Sequence, residues 1–248
     1  MNAGSTGGRE SGWRRRLVLL AALLAVLLLV AAGLYQLMNA RTFQLAGQLT
    51  HRVATTEKVV ALTFDDGPDE HTGQIIDVLA EQRVRATFFV IGSQVEARPQ
   101  DAKALVAAGH QLANHTYSHQ RMVFVSPSTV AKEVERTDAA IRVAGQRGEI
   151  PFRPPTGKKL LMLPLYLAEH QRHTVMWDVE PDSGRTPGAT EIVAAVREQT
   201  RPGSIILLHP WYAGGASTRQ AVEGVITGLR EQGYRFVTVS ELLALQRG

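Results

Sequence analysis

Beyond residue 57 the chain alternates short apolar runs with longer stretches in which apolar residues recur every three to four positions. The runs 59–64, 86–91, 111–113, 174–177, 204–208 and 235–239 have the length and side chains of buried strands. The helical spacing predicts helices over 73–83, 101–108, 127–143, 161–170, 190–199, 217–232 and 240–245. Ser126 followed by Pro127 supplies a cap and a first-turn proline for the third of these. Strand and helix in alternation of this kind predict a parallel sheet, open or closed into a barrel.

The N-terminal pattern is different. Residues 17–34 are unbroken Leu, Val, Ala and Gly, and no charge occurs from Leu17 to Ala40. At about 1.5 Å per residue such a helix crosses most of a roughly 30 Å hydrocarbon core. Arg14, Arg15 and Arg16 abut its start and only Arg41 stands just past its end, a bias that keeps the N-terminus cytoplasmic and sends the remainder across the membrane. Val30-Ala31-Ala32 resembles a cleavage site, but the run is longer than the usual apolar region of a signal peptide, so it reads as an anchor. The expected organisation is a basic cytoplasmic tail over 1–16, flexible over its first 13 residues, a membrane helix over 17–38, a linker over 39–57 and a catalytic domain over 58–248. The domain lies outside the cytoplasm, periplasmic or extracellular, on the inner membrane.

Charge then changes little. The formal +4 comes mostly from the tail, where four arginines meet one glutamate; the rest of the chain is nearly balanced, which excludes a nucleic-acid partner. The chain has no cysteine, so disulfides, thiolate nucleophiles and zinc-cysteine sites are excluded and any metal sits on His, Asp or Glu.

Ionisable residues cluster just after the apolar runs: Asp65 and Asp66, His115, Asp178 and His209. In parallel barrels and doubly wound sheets those strand ends build the site. Two adjacent carboxylates let one bind a metal while the other takes a proton, although Asp66-Gly67-Pro68 is also turn chemistry. His115 and His119 lie four apart and share a face if the segment makes a helical turn, the arrangement two ligands of one metal require. With a carboxylate they form a three-ligand set suited to Zn2+ and acceptable to Co2+, Mn2+ or Fe2+. Arg153, in a proline-fixed loop, can hold a carboxylate bidentately. His209, held by an aspartate, can donate a proton to a leaving group. The remaining histidines read as surface or packing residues, with His71 near the cleft, and Glu180 and Asp182 as rim residues that touch substrate.

In this order the five segments Thr63-Phe64-Asp65-Asp66-Gly67-Pro68, His115-Thr116-Tyr117-Ser118-His119, Phe152-Arg153-Pro154-Pro155-Thr156-Gly157, Trp177-Asp178 and Leu207-Leu208-His209 resemble the polysaccharide deacetylases of carbohydrate esterase family four, the NodB homology domain. The resemblance implies a distorted parallel β/α barrel and metal-dependent removal of N-acetyl, or sometimes O-acetyl, groups from a polysaccharide such as an N-acetylglucosamine polymer. It implies Asp65 as base, Asp66, His115 and His119 as metal ligands, Arg153 as the partner of Asp65, and Asp178 as the partner of the general acid His209. Trp177 and Leu207 would line the acetyl pocket. Two departures concern the substrate: Thr156 replaces the usual aromatic residue, leaving its backbone N–H for the oxyanion, and Pro210-Trp211-Tyr212 follows the histidine, so that Trp211 and Tyr212 would stack on sugar. The alternatives are an anchored glycan-binding module without turnover and an amidohydrolase of small amides.

Overall fold

The computed structural model describes residues 7–184, 187–211 and 213–246. In chain order its elements are α1 (Gly7–Asn39), β1 (Leu49–Thr50), β2 (Val59–Asp65), α2 (Thr72–Glu81), β3 (Thr87–Val90), α3 (Gly92–Ala97), α4 (Pro99–Ala107), β4 (Gln111–Asn114), α5 (Pro127–Val143), α6 (Met162–Glu169), β5 (Thr174–Val175), α7 (Ala189–Gln199), β6 (Ile205–Leu208), α8 (Ala216–Glu231), β7 (Arg235–Val237) and α9 (Val239–Ala244). Strands β4, β3, β2 and β6 pair in parallel, and β7 lies beside the first half of β2. Parallel single-residue bridges, Asn114 to Phe152, Phe152 to Thr174 and Val179 to Ile206, carry the wall from β4 round to β6. The result is the expected distorted parallel barrel, regular on one side and reduced to isolated bridges on the other.

Period-two alternation sorts side chains between the barrel interior and the helical layer. Val60, Leu62 and Phe64 of β2 pack outward with Ile75, Leu79, Val222 and Ile226 of the helices. Val59 and Ala61 pack inward with Phe89, Ala113, Met176 and Leu207. Continuing that parity, Thr63 and Asp65 also face the interior, so the carboxylate at the end of β2 is buried by the strand's own periodicity. Ser126 caps α5 as its sequence predicts, accepting from the Thr129 backbone N–H.

Three differences from the sequence pattern stand out. The helix of the apolar run begins at Gly7, so the stretch from Gly7 to Trp13 expected as flexible is helical; residues 1–6 lie outside the described residues. The expected linker over 39–57 is docked on the barrel: Leu49 and Thr50 pair with Thr174 and Val175, and Val53 is fully buried. Helix α3 and strand β1, six and two residues long, are too short to show a period.

Candidate metal centre and catalytic pocket

Asp65 ends β2 inside the barrel, where it is almost fully buried and its Oδ1 accepts a 2.6 Å bond from Arg153. Arg153 is itself fully buried and also donates to Thr63 Oγ1 at 2.9 Å and to the carbonyls of Val175 and Met176. Five donors in a fixed fork suit this role. Burial pulls the guanidinium's pKa down and the Asp65 charge opposes that pull.

Asp66 turns the other way because its backbone is left-handed, with φ of 75°. Its Oδ1 lies 3.0 Å from His119 Nε2 and 3.4 Å from His115 Nε2. The two imidazoles meet without a helical turn; positive φ at Thr116 and His119 folds the segment back instead. Thr156 is left-handed too, so four of the seven non-glycine residues with positive φ among the described residues belong to the site, a clustering expected where backbone strain is retained for function.

Asp66, His115 and His119 offer three ligand atoms within 4.8 Å of one another, a possible metal-binding triad. Ligands ~2.1 Å from one cation at tetrahedral angles lie roughly 3.4 Å apart, so the spacing fits a divalent ion. His115 Nδ1 lies 2.8 Å from the Arg153 carbonyl, which fixes the tautomer and leaves Nε2 to ligate. Burial would raise the Asp66 pKa, but hydrogen bonds and charge from His115 and His119 outweigh it and hold the carboxyl well below the ordinary range. Another acidic group, Asp69, Glu70 and His71, lies outside this pocket.

Across the pocket, His209 Nδ1 lies 3.1 Å from Asp182 Oδ1, and the His209 backbone N–H donates to Oδ2 at 2.7 Å. Thr218 Oγ1 donates to the same carboxylate. Burial opposes the imidazolium, yet Asp182, Asp65 and Asp66 together push the His209 pKa up to about 9. Asp182 therefore takes the place expected of Asp178. Asp178 accepts from Ser204 Oγ and the Ile205 N–H at the start of β6, while His209 lies past its end, roughly 13 Å along a strand. The parallel pairing of Val179 with Ile206, carried three residues on, brings Asp182 level with His209. Register, invisible in the sequence, decides between the two aspartates, and Asp182 is a partner of His209 rather than a rim contact.

These groups open into a cavity of about 540 Å³ whose lining includes Arg41, Thr156, Trp177, Glu180 and Leu207. Trp177 and Leu207 line its wall, and Thr156 is exposed. Glu180 Oε2 accepts from Trp177 Nε1 at 2.7 Å and from Arg41 at 2.8 Å, and the Arg41 guanidinium stacks over the Trp177 ring. Neither Arg41 nor these roles of Glu180 is visible in the chain pattern. Trp211 departs from expectation: it is 2% exposed, wedged near Phe64 and Phe88 with Gly67 against its indole, and cannot stack on sugar. Tyr212 lies outside the described residues. His110 and His173 are buried packing residues, His51 and His71 are half-buried, and His170 is exposed.

A family model described as polysaccharide deacetylase matches residues 52–174. A peptidoglycan-N-acetylglucosamine deacetylase of Bacillus cereus is 35% identical over 202 residues, covering 79% of this chain and 93% of the relative. A chitooligosaccharide deacetylase of Rhizobium leguminosarum bv. trifolii is 36% identical, covering 76% and 84%. Among solved structures, a CE4 family pseudoenzyme from Bacillus anthracis superposes with a TM-score of 0.73 at 29% identity, covering 80% of this chain and 70% of that one.

Proposed function

The chain belongs to the polysaccharide deacetylase family, and on that premise we propose that it hydrolyses N-acetyl groups of a cell-envelope polysaccharide built on N-acetylglucosamine. The observation that carries this reading is the pairing of a buried Arg153-held carboxylate, Asp65, with a separate three-ligand cluster on the same pocket. The two relatives above are named for N-acetylglucosamine units of peptidoglycan and for chitooligosaccharides, and O-acetyl glycans are the alternative substrate.

Asp66, His115 and His119 would hold a divalent cation, Zn2+ by the donor set, which supplies polarisation of the acetyl carbonyl and a lowered pKa for water. Asp65, with Oδ1 tied to Arg153, offers Oδ2 to take a proton from the attacking water. A backbone N–H at Thr156, which lines the pocket, would donate to the developing oxyanion, and one such donor contributes about 2.7–4 kcal/mol. Protonated His209, charged at neutral pH through Asp182, gives its proton to the leaving nitrogen, so the amide C–N bond breaks and acetate and a free sugar amine result. Trp177 and Leu207 enclose the methyl group.

The apolar helix from Trp13 to Asn39 is long and apolar enough to cross a membrane, and a cell-envelope substrate puts the domain on the extracytoplasmic side with the helix as anchor. The full chain, purified in detergent and loaded with zinc or cobalt, is expected to release acetate from N-acetylglucosamine oligomers or peptidoglycan. A chelator should stop release, Asp65→Asn should abolish it with metal retained, and Asp66→Ala should lose the metal. The similarity to a pseudoenzyme favours one second reading, glycan binding without turnover. Glycan binding by calorimetry, unchanged by metal and without acetate release, would establish it over hydrolysis.

A further inference from the structure

The end of α1 and the rim of the catalytic pocket are the same piece of structure. The Lys159 backbone N–H donates to the Met38 carbonyl at 3.2 Å, and Lys159 Nζ donates to the Ala40 carbonyl at 2.5 Å. Lys159 is 1% exposed and sits three residues from Thr156, which lines the pocket. Arg41, two residues past the helix, lines it as well. Two residues span at most about 7 Å, so the helix exit and the pocket mouth cannot be far apart.

The helix carries its own depth markers. Trp13 and Tyr35 are exposed aromatics of the kind that sit at membrane interfaces, and the 22 steps between them span about 33 Å, close to the hydrocarbon thickness. Asn39 and Arg41 then fall at headgroup level. Among the described residues beyond the helix the large exposed hydrophobics are Phe43, Leu45, Phe124, Val143, Leu161 and Leu165. All but Val143 belong to segments that converge on this exit: Phe43 and Leu45 follow Arg41, and Met122, two residues before Phe124, bridges Lys159, two residues before Leu161. Leu161 and Leu165 are a helical turn apart. Exposed apolar patches of this sort mark a binding surface, and this one adjoins a helix long and apolar enough to cross a membrane.

Building on the anchor and deacetylase readings, we propose that this collar rests on the bilayer surface, so that the catalytic pocket opens at the membrane and takes acetylated glycan held close to it. Arg41 and Lys159 fix that orientation by joining the helix to the pocket wall.

The absence of native cysteine allows clean single-site nitroxide labelling of the full chain in phosphatidylethanolamine and phosphatidylglycerol vesicles. Labels at Phe43→Cys, Phe124→Cys and Leu161→Cys should collide several-fold more with oxygen than with a water-soluble nickel chelate, relative to Glu231→Cys at the opposite face. A label at Leu24→Cys reports the anchor itself. A lipid-exposed label at 24 with the three collar labels as wet as 231 overturns the proposal and leaves the anchor standing; a wet label at 24 overturns both. In the same vesicles, an N-acetylglucosamine oligomer on a short lipid tether should lose acetate several-fold faster than on a long one, with soluble oligomer turnover as the measure of catalysis. The reverse order, with soluble turnover intact, places the pocket away from the membrane.

Discussion

Replacing Asp182 by Asn removes the negative charge that His209 faces while keeping the side chain's size. The lost contact is a charge-assisted hydrogen bond at 3.1 Å to Nδ1, in a pocket where burial disfavours the imidazolium. Such a bond contributes about 1.5–3 kcal/mol, equivalent to a fall of roughly one to two units in the His209 pKa from its value of about 9. The sign follows from the role: the acid works only when protonated, so activity is full below its pKa and is lost as pH rises through it. Asp182→Asn should therefore move the alkaline limb of kcat/KM about one to two units to lower pH, with the largest loss of activity between about pH 8 and 9. Asp178→Asn is the matched control. Its carboxylate meets Ser204, the Ile205 N–H and, at 4.0 Å, Arg52, so its loss should lower thermal stability and leave the alkaline limb in place. Acetate release measured from pH 5 to 10 with both variants decides the matter. An alkaline limb that shifts with Asp178→Asn and stays fixed with Asp182→Asn would refute the assignment.

Two further changes test the packing. Arg153→Met leaves Asp65 charged and buried without its partner and should cost about 3–5 kcal/mol in urea unfolding; a cost under about 1 kcal/mol would mean that Asp65 is not held as an ion. Trp211→Ala should lose about 3–5 kcal/mol of stability through the cavity it opens, with KM for glycan unchanged; a raised KM at native stability would restore the stacking role.

The chemistry was legible where it is local to one strand end. Asp65 lies inside the barrel because β2 alternates strictly, and Asp66 reverses because a turn follows at once, both readable from an apolar run ending in Asp-Asp-Gly-Pro. His115 and His119 were readable as a pair, although the left-handed backbone that joins them was not. Asp182 was not readable as the partner of His209, because the choice depends on which residue of one wall segment faces Ile206. Trp211 misled for a related reason: hydropathy does not say whether an aromatic after a histidine turns toward the ligand or toward Phe64 and Phe88. The stretch over 39–57 lacks period and looks like a tether, but its order comes from partners more than a hundred residues away.

That last feature bears on where the chain can be cut. A fragment starting at residue 58 strips the Thr174 and Met176 amides of their acceptors at Gln48 and Thr50, and uncovers the hollow that Val53 fills. Each amide stranded in a dry interior costs about 1–3 kcal/mol. A soluble version of the domain should accordingly keep everything from Ala40 onward, and shorter pieces are expected to express as loosened, aggregation-prone barrels.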